Sequence, residues 1–221
     1  GSQDGFQGRD DSIKNGFDNI NEIHGSLYTD SIKGLNGSAL WTLETGKVSY
    51  AALGRTIELA AVEKLLGGSG ADTFSLKDGA SHEGSLDGGD GIDLLDYSLY
   101  TTAVSVNLSD GSSTGISGSI SGFENVTGGS GDDHITGDSK NNVIIGGPGN
   151  DTIYGQAGHD TLIGGTGDDV LYGGAGNDTY RFEDNWGSDS IIESDGEGNS
   201  ILDLATILAD LTITIAESGV L

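Results

Sequence analysis

A carboxylate or carboxamide side chain returns every nine residues, as Asp133, Asn142, Asp151, Asp160, Asp169 and Asp178. Each closes a glycine-rich approach. The blocks are GGSGDDHIT (from Gly128), GDSKNNVII, GGPGNDTIY, GQAGHDTLI, GGTGDDVLY and GGAGNDTYR (ending at Arg181). Within a block, glycines favour positions 1, 2 and 4, the acid holds position 6 and a large apolar residue holds position 8. Glycines allow positive φ and let backbone carbonyls turn towards one point. The acid adds a hard oxygen at the end of that turn. Carbonyl and carboxylate oxygens converging in this way are the ligand set of a calcium site, whereas zinc takes His or Cys and magnesium a stiffer octahedron. One such turn would carry little weight, because glycine and aspartate are ordinary turn residues. Six in unbroken register are a pattern with a purpose.

The elements that must position these turns follow from positions 7 to 9, which form a short strand. Strand alternation points position 8 inward: Ile135, Ile144, Ile153, Leu162, Leu171 and Tyr180. One block cannot bury its apolar residue alone, so blocks must stack into a continuous core. Without a period, the 40 glycines would read as a disordered segment. With one, they read as a repeat architecture. The fold class expected is all-β, a β-solenoid.

These blocks resemble the nonapeptide GGxGxDxUx (U large and apolar) of RTX, or hemolysin-type, calcium-binding proteins. The resemblance implies a right-handed parallel β-roll with two blocks per turn and calcium ions between turns on both edges. It also implies a ligand set: carbonyls 2 and 4 plus the acid of one block, facing carbonyls 1 and 3 plus the acid of the block eighteen residues on. On one edge, Gly129, Gly131 and Asp133 would face Gly146, Pro148 and Asp151. Next, Gly147, Gly149 and Asp151 would face Gly164, Thr166 and Asp169. Gly165, Gly167 and Asp169 would be completed by Asp189 of the WGSD segment. On the other edge, Asn142 would face Gly155, Ala157 and Asp160, and Gln156, Gly158 and Asp160 would face Gly173, Ala175 and Asp178. The second block departs from the pattern with Asp138, Lys140 and Asn142, so a weak or empty site is expected between Asn142 and Asp160.

Two isolated copies lie upstream, GGSGADTFS with Asp72 and GGDGIDLLD with Asp93, both candidate calcium ligands. A lead-in of apolar, Glu, polar, apolar precedes two of the glycine turns, in VEKLL from Val62 and GFENV from Gly122. A third version begins at Gly16, with Asp30 as the remnant of position 6. The chain thus divides into 1–66, a divergent strand-rich solenoid region; 67–127, isolated repeats with a β insertion; 128–181, the tandem roll; and 182–221, a C-terminal cap. Residues 41–65 read as short strands with a helical turn. Val104, Val106 and Leu108 alternate before a turn at Asp110-Gly111. The tail alternates at Leu211, Ile213 and Ile215 and reads as a strand. A cap is needed because a last rung exposes apolar surface and unpaired edges.

Composition excludes several functions. Asp and Glu total 35 against 9 Lys and Arg, a formal net charge of -26. Nucleic acid and anionic membrane surfaces are therefore poor partners. No apolar run is long enough for a membrane span. Self-repulsion on this scale calls for bound cations, and about six divalent ions would add roughly +12. With no cysteine there is no disulfide framework or thiolate metal site. The absence of methionine makes the chain an expected piece of a longer protein, with Gly1-Ser2 as a cloning remnant. Catalytic signals are lacking. No HExxH motif exists, His24, His82, His134 and His159 read as loop or strand-face residues, and GSSTG (Gly111 to Gly115) lacks the context of a nucleophile elbow. The single proline, Pro148, follows Gly147, so there is no Asp-Pro bond for self-cleavage. The resemblance implies a non-enzymatic, calcium-folded segment of a secreted or cell-surface bacterial protein, an adhesin exported by type I secretion, with neighbouring domains. The alternatives are a glycan- or cell-surface-binding module, using Trp41, Tyr97, Tyr100, Tyr154 and Tyr172 as an aromatic platform, or the non-catalytic roll of an enzyme or toxin.

Overall fold

The computed structural model describes residues 22–24, 29–184, 186–193, 198–205 and 207. The expected tail strand at Leu211, Ile213 and Ile215, Gly1-Ser2 and the start of the Gly16 lead-in lie outside the described residues. The described residues contain strands and no helix. Eleven strands form one sheet that runs from one end of the described chain to the other. Its parallel part takes Leu40–Glu44, Thr73–Leu76, Leu94–Asp96, Asn125–Thr127, Val143–Pro148, Thr161–Thr166, Thr179–Arg181 and Ile201–Asp203 in order. The opposite face is built from two shorter sheets, one after the other. Ser31–Lys33, Lys64–Leu66, Ser85–Asp87 and Ile120–Ser121 make the first. Ser105–Asn107, His134–Thr136, Thr152–Ala157, Val170–Ala175 and Ser190–Ile192 make the parallel part of the second. From Asn125–Thr127 to Ile201–Asp203 the chain passes from face to face, one strand at a time. This is a parallel β-roll.

The register explains the core. Trp41, Phe74, Leu95, Val126, Ile144, Leu162, Tyr180 and Leu202 are paired in series along the long sheet. Val106, Ile135, Ile153, Leu171 and Ile191 form the facing file downstream, and Ile32, Leu65, Leu86 and Ile120 the facing file upstream. The position-8 side chains are buried between the faces, as alternation requires. Burying each large aliphatic side chain is worth about 1.5–3 kcal/mol, so the core grows by a fixed increment per block.

No helical turn occurs in 41–65. Residues Leu40–Glu44, Lys47–Ala52 and Arg55–Ala60 pair antiparallel and extend the long sheet. Leu53 and Gly54 both have positive φ, 51° and 74°, which closes a two-residue hairpin where a helix would otherwise start. The aromatic platform also fails. Trp41, Tyr97 and Tyr100 are buried, Trp41 stacked on Phe74 at 5.3 Å between centroids. The phenols of Tyr97 and Tyr100 donate to the Thr114 and Ala80 carbonyls, each at 2.6 Å. Only Tyr154 and Tyr172 remain on the outer face, stacked at 4.4 Å as a ladder with His134 beside them. The turn at Asp110-Gly111 is present, with Gly111 at φ 77° joining two short antiparallel strands.

Candidate metal centre

Stacking sets the position-6 residues into two files, one along each edge. Along one file, Asp133 N–H donates to Asp151 Oδ1 (2.8 Å), Asp151 N–H to Asp169 Oδ1 (2.7 Å) and Asp169 N–H to Asp189 Oδ1 (3.0 Å). Along the other, Asn142 N–H donates to Asp160 Oδ1 (2.8 Å) and Asp160 N–H to Asp178 Oδ1 (2.9 Å). The isolated copies continue this second file upstream, where Asp72 N–H donates to Asp93 Oδ1 at 2.7 Å. Each carboxylate therefore spends one oxygen holding the rung before it.

The glycines are required by close approach. A Cβ on Gly167 would lie 1.8 Å from the Gly149 carbonyl oxygen, and one on Gly165 1.9 Å from that of Gly147. A Cβ on Gly146 would fall 2.2 Å from Asp151 Oδ2 and 2.6 Å from the Gly164 oxygen. Gly155 stands in the same relation to Asp160 Oδ2 and the Gly173 oxygen, both at 2.5 Å. Carboxylate and carbonyl oxygens of successive rungs thus face one another across the position-1 glycine. The Thr166 and Ala175 carbonyls accept from Gly149 and Gly158 N–H at 2.9 Å, leaving each a second lone pair.

The sign of φ at position 2 sorts the turns into two kinds. Gly89, Gly147, Gln156 and Gly165 have φ of 99°, 114°, 81° and 115°. In their turns the second carboxylate oxygen, Oδ2 of Asp93, Asp151, Asp160 and Asp169, is buried without a hydrogen bond. Asp189 Oδ2 is likewise unpartnered. Gly68, Gly129 and Asp138 are not in the positive-φ region, and their N–H groups donate back to Asp72 Oδ2 (2.7 Å), Asp133 Oδ2 (2.6 Å) and Asn142 Oδ1 (2.9 Å). Asn142 is further tied by Nδ2 donating to the Glu124 carbonyl at 3.0 Å. Gln156 adopts a conformation that costs an L-residue about 1–2 kcal/mol. Gln156→Gly is therefore expected to raise stability by about 1 kcal/mol, read from urea unfolding at saturating calcium.

Buried carboxylate oxygens with no donor are costly unless a cation or a proton is present. Burial pushes Asp151, Asp160 and Asp189 up to about 7 and Asp93 to about 6, with neighbouring carboxylates adding to the rise. Burial raises Asp133 and Asp169 as well. The folded chain without metal therefore binds more protons than the unfolded chain, whose aspartates titrate near 3.9. Stability in chelator must fall as pH rises from about 4 to about 7. In saturating calcium the trend reverses, because protons then compete for the same oxygens. Thermal midpoints at pH 5 and pH 7.5, with chelator and with calcium, check both signs.

Among the described residues, no three or more His, Asp and Glu side chains converge on one point. A cation here would be held by two acids and by backbone carbonyls. The residues present fit such an ion in their donor chemistry, their unpartnered oxygens and the space that a Cβ would fill.

A second ladder escaped the sequence reading. Position 5 reads Asp132, Asn141, Asn150, His159, Asp168 and Asn177, always an acceptor. Asn150 N–H donates to Asp132 Oδ1 and Asp168 N–H to Asn150 Oδ1, both at 2.8 Å. Asn177 N–H donates to His159 Nδ1 at 2.9 Å, so His159 is a rung of this ladder. That unbroken run of acceptors was the available signal. Glu63 and Glu124 were also missed as file members. They accept from Asp30 and Asp93 N–H at 2.8 and 3.1 Å, where an aspartate would stand in the array. His82 is buried, with Nε2 3.2 Å from the Glu63 carbonyl oxygen, and desolvation lowers its pKa. Ser112 and Ser113 of GSSTG lie on a short antiparallel strand, Ser113 against the Tyr97 hydroxyl, with no strand–turn–helix around them.

Residues 127–162 and 154–184 match the RTX calcium-binding nonapeptide repeat, in four copies. No curated protein matches the chain. The tandem blocks are an RTX repeat array, of a kind that binds calcium and is typical of secreted proteins.

Proposed function

We propose that this chain is a calcium-folded structural segment of a secreted or cell-surface protein, an adhesin exported unfolded and folded outside the cell. The observation that carries the reading is the row of buried, unpartnered carboxylate oxygens, with those of Asp93, Asp151 and Asp160 set against a carbonyl of the neighbouring rung. Calcium, when bound, supplies the positive charge and oxygen affinity that these turns lack. Asp151, Asp160, Asp169 and Asp189 would hold the ions with the position-1 to position-4 carbonyls of their own and adjacent rungs. Asn142, whose side chain is satisfied within the protein, supports a weak or empty position between it and Asp160. Asp72 and Asp133, which accept their own turn's N–H, would be poorer ligands than the acids above them. A net charge of -26 opposes compaction at the low calcium of a cytosol. Millimolar calcium outside would then supply the folding free energy.

RTX repeats are typically structural and calcium-binding rather than catalytic, and we read the segment as non-enzymatic. Of the glycan platform, the Tyr154–Tyr172 ladder remains, and cross-strand packing accounts for it. The test is a calcium titration of chelated protein followed by circular dichroism. A cooperative gain of β signal is expected. A spectrum unchanged by chelation would sink the proposal.

A further inference from the structure

The geometry points to a divalent-cation site between Asp93 and Glu124, upstream of the tandem array and half built from a residue that belongs to no nonapeptide. The inference rests on the calcium reading above and extends it to a rung whose acid is a glutamate.

Three observations place the site. Asp93 is fully buried, and its Oδ2 has no hydrogen-bond partner. That oxygen faces the same cradle as its counterparts in the array. A Cβ on Gly88 would lie 2.8 Å from Asp93 Oδ2 and 2.1 Å from the Gly122 carbonyl oxygen, as Gly146 does between Asp151 and Gly164. The rung above is in register, with Leu95 paired to Val126, and Glu124 Oε2 accepts the Asp93 N–H at 3.1 Å. This is the bond that Asp169 Oδ1 makes to Asp151. Glu124 therefore occupies the place of the upper acid. Gly89, at φ 99°, puts this turn in the class that leaves its carboxylate open.

Lys140 completes the picture. Its Nζ lies 2.9 Å from Glu124 Oε1, the oxygen that does not accept from Asp93. In the array, the corresponding second oxygen of Asp151 or Asp169 is the unpartnered one. An ammonium thus stands on the next rung up, where Asn142 supplies no charge. The cation file changes there from a divalent ion between two acids to a lysine on one acid. The array's irregular block and the upstream site are two sides of one arrangement.

Crystals grown in calcium and soaked with terbium, with anomalous density read at each rung, provide the test. A peak between Asp93 and Glu124, beside a peak between Asp151 and Asp169, supports the site. Water alone at the first position, with the second filled, overturns it. No ion at either would overturn the calcium reading itself, a separate failure. Calcium per chain after desalting gives a second reading. Glu124→Gln and Asp93→Asn should each lose one ion, and the double variant no more than one. An unchanged count in Glu124→Gln overturns the site.

Discussion

Asp169→Ala is expected to remove ligands from two positions at once and to shift the calcium midpoint of folding upward by about ten- to a hundredfold. Asp169 stands mid-file. Its Oδ1 holds Asp151 N–H, its own N–H is held by Asp189 Oδ1, and its Oδ2 is buried without a hydrogen bond. Truncation leaves the Asp151 N–H buried without an acceptor, which costs about 1–3 kcal/mol. It also takes one acid from the cradle on either side. A loss of 1.4 kcal/mol is tenfold in an equilibrium constant, which gives the range above. Asp133→Ala is the control. Asp133 begins its file, and both its oxygens are occupied by backbone, Val104 N–H at 2.8 Å and Gly129 N–H at 2.6 Å. Isothermal titration of both variants should show a larger loss of bound calcium for Asp169→Ala. Equal losses would mean that position along the file does not matter.

The second large effect is steric. Gly167→Val is expected to abolish the folded β signal even at saturating calcium. Gly167 has φ 136°, and a Cβ would sit 1.8 Å from the Gly149 oxygen and 2.7 Å from its carbon. The obstacle is backbone on the preceding rung, so no rotamer relieves it. A β-branched residue is also a strong outlier at positive φ. Strain and broken stacking together belong to the class of changes that cost more than about 4 kcal/mol. Gly37→Ala is the contrast, because nothing lies within 4 Å of its Cβ position. Its effect should stay within about 0.5 kcal/mol. Denaturation in saturating calcium separates the two.

Much of the roll was legible because positions 6 and 8 carry different physics. The inward residue repeats by alternation and the acid by turn closure, so their joint period marks strand and edge together. The upstream half was harder to read. There Glu63 and Glu124, within lead-ins that lack the glycine turn, share the edges with Asp72 and Asp93. The hairpin at 47–60 also joins the same sheet, although its sequence shows no nonapeptide. The two kinds of turn could not be read at all. Gly128-Gly129 and Gly146-Gly147 are the same dipeptide, yet Gly147 takes positive φ and Gly129 does not. The difference lies in the rung beneath. Gly147 stacks on a nonapeptide turn, with the Gly129 oxygen 2.3 Å from its Cβ position, whereas Gly129 meets the backbone of Tyr100. Turn conformation here is a property of the neighbour.

The edge ladders also have a direction. From Asp133 to Asp189 and from Asn142 to Asp178 the backbone donates forward and the next side chain accepts from behind. At the N-terminal end a file needs only an amide, and Ala39 and Val104 serve, each giving its N–H to the first acid at 2.8 Å. At the last described rung of each file a side-chain oxygen is in place, Asp189 on one edge and Ser200 on the other, with Ser200 Oγ accepting from Asp178 N–H at 3.1 Å. Such a file can thus open on almost any non-proline residue, but each rung added to it must bring an acceptor. The opening is permissive in sequence, and every later step is spelled out.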